Sequence, residues 1–195
     1  MTPLLLIRHG LTAWNESGRI QGRADLGLSA RGRAEVAAWR LPTVWADARW
    51  LTSPLRRAQE TAALLTDRPV VVEPRLIEMD WGAWEGKRGV DLRAEAPDEL
   101  AGNEVLGLDL RPPAGESPRE LCGRLQALCA DLATDPTPVV AVCHKGVIRA
   151  ALALATGWDM RTAPPLRLAR DQALALVCEP GGRLRLAPPL LPLAA

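Results

Sequence analysis

Leu4-Leu5-Leu6-Ile7-Arg8-His9-Gly10 opens the chain, and Val139-Val140-Ala141-Val142-Cys143-His144-Lys145-Gly146 repeats its design 135 positions later. Each is a short unbroken apolar run, as expected of a strand covered on both faces rather than one. Each runs straight into a histidine. Working outward, Trp50-Leu51-Thr52 and Val70-Val71-Val72 read as two further short strands. Ser29 caps a helix predicted to reach about Arg40, and Ser53 with Pro54 supplies an N-cap and first turn for a helix with Leu55, Ala58, Ala62 and Leu65 inward. Ser117-Pro118-Arg119-Glu120 is a capping box ahead of Leu121, Leu125, Leu128 and Leu132. A last helix is predicted from about Val147 to Ala155. Gln172 to Cys178 and Arg183 to Ala187 flank Pro180-Gly181-Gly182 as an antiparallel edge hairpin. Strands alternating with helices predict an α/β fold with a mostly parallel sheet and helices on both faces. Ligands of such sheets gather at the carboxyl ends of the strands, where both histidines lie.

The remaining stretches read as loops. Thr12 to Leu28 is a long structured loop, neither helix nor strand, and residues 79–117 are loops with short helices that face the substrate. The Pro-rich tail from Pro188 is either packed or loose. No linker or repeat divides residues 1–195, which are expected to form one domain.

Composition narrows the partners. Lys and Arg number 24 against 23 Asp and Glu, so no net field would hold the chain on nucleic acid or an anionic membrane, and any anion must be recognised locally. No apolar run reaches the roughly 20 residues of a membrane span, and the start lacks a signal-peptide pattern, which predicts a cytoplasmic protein. Cys122, Cys129, Cys143 and Cys178 have no zinc spacing and read as reduced core thiols.

His9 and His144 are the only two histidines. One histidine alone is more often structural than catalytic; a pair at matched strand ends is the informative coincidence. Arg8 and Arg56 are candidate anion donors, because a guanidinium offers phosphate two parallel N–H groups and a cation in the first turn of a helix needs an offset to the dipole. Arg57 is left balanced between such a role and a solvated surface turn. Glu78, among the tryptophans of Glu78-Met79-Asp80-Trp81-Gly82-Ala83-Trp84-Glu85-Gly86, is a candidate desolvated general acid. Glu85 reads as a surface charge.

Arg8-His9-Gly10 with Thr12, Trp14-Asn15 and Gln21-Gly22-Arg23, Leu28-Ser29 and Gly32, then Ser53 to Thr61, Glu78 to Gly86, Gly115-Glu116-Ser117 and His144 to Arg149, resembles the histidine phosphatase superfamily, the phosphoglycerate mutase-like proteins. The resemblance implies a three-layer α/β/α sandwich and a metal-independent phosphomonoesterase with no cofactor. It implies that His9 attacks phosphorus, forming a phosphohistidine, and that Arg8, Arg56 and His144 hold the phosphoryl oxygens. Glu78 would move the proton of the leaving group. Asn15, Gln21 and Gly22 would bind substrate. Lys145 departs from the family, which carries a small residue there, and its ammonium either touches substrate or turns outward.

Mutases of the family are longer after the glutamate motif; here Asp91 to Arg111 is short and acidic, which favours a phosphatase branch acting on small phosphomonoesters. A mutase-type phosphotransferase and a non-catalytic phospho-ligand module are the alternatives, with a metal site built on the two histidines and Cys143 as a third. Specificity is expected from residues 79–117 and Trp14. The sequence leaves the oligomeric state open, a homodimer included.

Overall fold

A computed structural model describes residues 1–95, 97–187 and 190–193. Its sheet contains β1 (Thr2–Arg8), β2 (Arg49–Thr52), β3 (Val70–Val72), β4 (Val139–Cys143), β5 (Gln172–Glu179), β6 (Arg183–Leu186) and β7 (Leu191–Pro192). The order is β3-β2-β4-β1-β5-β6, with β7 on the end of β5. β3, β2, β4 and β1 are mutually parallel; β5, β6 and β7 supply the antiparallel part. The expected hairpin is therefore present, and its first strand pairs directly with β1.

Seven helices accompany these strands among the described residues: α1 (Ala13–Glu16), α2 (Ala30–Ala37), α3 (Arg56–Leu65), α4 (Gly89–Glu95), α5 (Pro97–Glu104), α6 (Pro118–Leu132) and α7 (Lys145–Thr156). Both faces of β1 are covered, which explains its unbroken apolar run. Leu4 and Leu6 pack with Leu121, Leu125, Leu128 and Ala150 of α6 and α7. Leu5 and Ile7 face the other way, against Val36 of α2 and Ala58 and Ala62 of α3. β4 divides in the same manner, Val139 and Ala141 to one core and Val140 and Val142 to the other. The result is the three-layer α/β/α arrangement.

Local chemistry sets the helix ends. α6 carries its capping box as expected: Ser117 Oγ accepts from the Glu120 N–H, and Glu120 accepts from the Ser117 N–H. α2 stops at Ala37 rather than Arg40, because the Arg40 N–H is taken by the Leu193 carbonyl at 2.6 Å. That contact and β7 fix the tail, whose Leu193 is fully buried; Pro188 and Pro189 lie outside the described residues. α3 begins at Arg56, with Leu55 as N-cap, so Ser53 is not the cap. Its N–H instead extends the β2/β4 ladder to the Val142 carbonyl. Within the loop 12–28, Thr12 and Asn15 form a capping box that holds the single turn of α1, a helix the loop reading does not include.

Two of the four cysteines, Cys122 and Cys129, lie on α6, and all four are free and buried. No helix among the described residues is long and apolar enough to cross a membrane.

Candidate active site

β1 and β4 are neighbours in register, Arg8 beside Cys143, and the His9 N–H continues the ladder to the Cys143 carbonyl at 3.0 Å. His9 and His144 therefore leave adjacent strands at the same level. Their rings stand 5.1 Å apart, centroid to centroid, inclined by 55°. Both are buried, His9 3 % exposed and His144 0 %.

Nδ1 of His9 lies 2.7 Å from the Gly10 carbonyl. A carbonyl only accepts, so Nδ1 carries the hydrogen and Nε2 the lone pair. Burial, then the charges of Arg57 and Arg8, hold the imidazole well below its ordinary pKa, and it is neutral at pH 7. His144 is held low by burial and then by His9 and Arg57. Its Nε2 lies 2.7 Å from Ser53 Oγ, which also accepts the Leu55 N–H. Ser53 is thus spent on orienting the imidazole of His144, a role that its place ahead of a helix conceals.

Glu78 is 8 % exposed, and desolvation raises its pKa against the opposing pull of two backbone N–H groups, Met79 at 2.8 Å on Oε1 and Gly146 at 3.2 Å on Oε2. Gly146 makes room for this carboxyl. A Cβ at that position would stand 2.2 Å from Glu78 Oε1.

The arginine assignment needs correction. Arg56 is on the outside of α3, its side chain 64 % exposed and paired with Glu60 at 3.5 Å. It borders a separate depression with Asp25, Gly27 and Arg33. Asp25 accepts the Arg56 N–H at 2.7 Å, so a carboxylate already sits at the positive end of α3. Arg57 is the buried one, 0 % exposed. Its Nη1 and Nη2 donate to the Ala24 and Gly22 carbonyls, each at 2.7 Å, and Nε has no partner. Helical phase would have separated the two: at about 100° per residue, Arg57 flanks the face of Ala58, Ala62 and Leu65, while Arg56 points away from it.

Glu85 also departs from expectation. Its carboxylate accepts the N–H groups of Arg23 at 2.6 Å and Ala24 at 3.0 Å, and it packs against Gly22, whose φ of +52° suits a residue without Cβ. Glu85 thereby shapes the loop whose carbonyls receive Arg57. Arg8 is largely withdrawn from solvent, with its Nε buried and unpartnered; burial lowers its pKa, opposed by the charge of Glu78.

A cavity of about 560 Å³ opens on these groups and is lined by Arg8, His9 and Glu78. Asn15, Gln21, Gly22 and Lys145 border it too. Asn15 Oδ1 is occupied by the Thr12 N–H, and the Gln21 amide donates to the Thr12 hydroxyl. Met79, Trp81, Gly107 and Leu110 line it from within residues 79–117; Trp14 does not, its ring lying over Gly86. Arg149, at the end of the His144 to Arg149 motif, also lines it, as do Met160 and Arg161 from a segment that bears no motif. Arg170, equally unmarked, reaches the His9 carbonyl at 3.4 Å, and burial brings its pKa down to about 10. A more open depression of about 650 Å³ beside α2 shares only Asn15 with this cavity. Among the described residues no group of three His, Cys, Asp or Glu side chains is placed to hold a metal ion.

Residues 4–186 match the model of the histidine phosphatase superfamily, branch 1. The chain belongs to that superfamily. It is similar to a glucosyl-3-phosphoglycerate phosphatase of Mycolicibacterium vanbaalenii, 36 % identical over 84 % of this chain and 78 % of the relative. It is also similar to an Enterobacter protein named "Probable phosphoglycerate mutase GpmB", 39 % identical over 67 % of this chain and 63 % of the other. Among solved structures, a mycobacterial glucosyl-3-phosphoglycerate phosphatase complexed with VO3 superposes with a TM-score of 0.77 at 28 % identity, covering all of both chains.

Proposed function

We propose that this superfamily member is a metal-independent phosphomonoesterase of small phosphorylated metabolites, working through a phosphohistidine on His9. The observation that carries the reading is the Gly10 carbonyl on His9 Nδ1, which leaves a neutral imidazole with a free Nε2 lone pair beside buried cations. Nε2 attacks phosphorus in line, the bond from phosphorus to the ester oxygen breaks, and Glu78 delivers its proton to the departing alkoxide. Glu78, now a carboxylate, accepts a proton from the water that next attacks phosphorus. The bond to Nε2 breaks, phosphate leaves, and both groups return to their starting states. Arg8 and Asn15 border the cavity as oxygen donors, and Arg57 contributes its charge from beneath. With the Ser53 hydroxyl donating to Nε2, His144 keeps its hydrogen on the unpartnered Nδ1, ready for a phosphoryl oxygen. The guanidiniums supply the positive charge that a metal provides in other phosphoryl-transfer sites, and neutral His144 adds an N–H donor.

The relatives named glucosyl-3-phosphoglycerate phosphatase favour hydrolysis over transfer. Incubation with a 32P-labelled phosphomonoester tests it: wild type should acquire an acid-labile, alkali-stable adduct and release phosphate, and His9→Ala should do neither. Interconversion of 2- and 3-phosphoglycerate without phosphate release would instead establish the mutase reading. Neither adduct nor turnover over a broad panel of monoesters would establish a binding module.

A further inference from the structure

The carbonyl that fixes the tautomer of His9 belongs to Gly10, and glycine rotates about its backbone more freely than any other residue. A side chain at that position is crowded out, since a Cβ would stand 2.5 Å from a methyl of Val36. The orientation of the imidazole must therefore be held from outside.

Two groups grip the peptide unit that joins His9 to Gly10, one at each end. The Gly10 N–H donates to Thr61 Oγ1 at 3.0 Å. Thr61 is fully buried, and its hydroxyl donates in turn to the Arg57 carbonyl at 2.7 Å, which ties this end to α3. At the other end, Nη1 of Arg170 donates to the His9 carbonyl at 3.4 Å. Arg170 stands just ahead of β5, whose Ala173 is level with Ile7 of β1, so the antiparallel pairing carries it alongside His9. Its mounting is firm: the Asp171 carbonyl accepts the Leu193 N–H at 2.7 Å, and Gln172 Oε1 accepts the Ala169 N–H at 2.9 Å.

Arg170 is half-buried, and among the described residues it makes no ion pair. A guanidinium withdrawn from water without a carboxylate is costly. What it gains is a charge-assisted hydrogen bond to the His9 carbonyl, stronger than one from a neutral donor.

We propose that Arg170 is a positioning residue for the nucleophile: with Thr61 it clamps the His9–Gly10 peptide and so keeps Nε2 of His9 aimed at phosphorus. The kinetic consequence rests on the phosphohistidine reading; the effect on the imidazole does not. Around His9 stand Arg8 from its own strand, Arg57 from α3, His144 beyond β4, Glu78 in the same cavity and Arg170 ahead of β5. Arg170 adds to the positive charge that disfavours the imidazolium.

Arg170→Met and Thr61→Val, set against Arg170→Lys and Thr61→Ser and each checked for folding by thermal melting, test the clamp. The first two should lower kcat for p-nitrophenyl phosphate about tenfold or more with KM within about twofold, and the conservative pair should recover most of it. The acid limb of kcat/KM should move to higher pH in Arg170→Met, and stay in Arg170→Lys and in Thr61→Val, which removes no charge. Arg170 lines the open depression beside α2, so millimolar guanidinium should restore part of kcat to Arg170→Ala and none to Thr61→Val. A kcat within about threefold of wild type in both Arg170→Met and Thr61→Val overturns the proposal. So does a loss in Arg170→Met that leaves the acid limb in place and that neither lysine nor guanidinium lessens. If wild type hydrolyses no phosphomonoester, the phosphohistidine reading fails, and 15N spectra of the two imidazoles decide the clamp alone. His9 should carry its hydrogen on Nδ1 in wild type and show mixed tautomers in Arg170→Met and Thr61→Val; an unchanged tautomer in both overturns it.

Discussion

The N–H of Gly146 donates to Oε2 of Glu78 at 3.2 Å, at a distance of approach that leaves no space for a side chain on residue 146. One glycine thus sets where the buried carboxyl stands. Gly146→Ala is predicted to displace the Glu78 carboxyl by about 1 Å and to lower kcat by about 100-fold, with thermal melting showing a folded protein. Activity within threefold of wild type would show that the position of Glu78 is not critical.

The buried arginine and its exposed neighbour should behave oppositely. Arg57→Ala removes two hydrogen bonds to the 22–24 loop and a charge that faces His9 and Glu78. It should abolish most activity and destabilise the fold by about 2–5 kcal/mol. Arg56→Ala, cut from an exposed pair, should stay within about 0.5 kcal/mol of wild type and keep its turnover. Denaturation midpoints and phosphate release on both variants check the pair, and the reverse ranking would restore Arg56 to the site.

Proton inventory sets the pH response. Burial lowers the pKa of His9 and raises that of Glu78, the two directions that favour a neutral imidazole beside a protonated carboxyl. The pH profile of kcat/KM should be a bell whose acid limb belongs to His9, below 6.5, and whose alkaline limb belongs to Glu78, above 4.5. Glu78→Gln should flatten the alkaline limb and slow alkyl phosphates about 100-fold more than p-nitrophenyl phosphate, whose leaving group needs no acid. An intact alkaline limb in that variant would remove Glu78 from the role.

The same groups act on stability with a definite sign. Unfolded histidines take protons near 6.5, whereas folded His9 and His144 do not, so their contribution weakens as pH falls below that value. Glu78 works the other way: folded, it retains a proton that the unfolded chain releases near 4.5, a contribution lost as pH rises through its raised folded value. Urea denaturation between pH 7 and 5 should show the midpoint falling in wild type and falling less in His9→Asn. A steeper fall in His9→Asn would contradict the histidine assignment.

Leu6, fully buried between β4 and β5, tests the fold itself. Leu6→Ala should cost about 3–5 kcal/mol, against about 1 kcal/mol for the loss of the α6 cap in Ser117→Ala. Comparable losses would mean that the core closes around the missing side chain.

Much of this arrangement was legible because periodicity and caps are local. The runs at Leu4 and Val139 read as doubly covered strands, and the capping box at Ser117 fixed the start of α6. Features decided by distant partners were not legible. Ser53 looks like a cap until His144 arrives beside it, and Glu85 looks like a solvated charge until the 21–24 loop folds onto it. Arg57 was discernible in principle from the phase of α3, but its destination, the carbonyls of Gly22 and Ala24, carries no sequence signal. Arg161 and Arg170 lie in segments with no motif, the first brought to the cavity and the second to the His9 carbonyl by topology alone.

The register of β1 against β4 has a consequence for biogenesis. The first imidazole leaves the ribosome 135 residues ahead of the second. Until β4 follows, β1 lacks the parallel neighbour that separates it from β2. Closing so long a loop is entropically costly and slow, so a nascent chain halted before residue 139 is an inert polypeptide with an exposed apolar edge. His9 thus acquires its partner His144 only in the late steps of synthesis, and any activity that needs both imidazoles arrives late in folding.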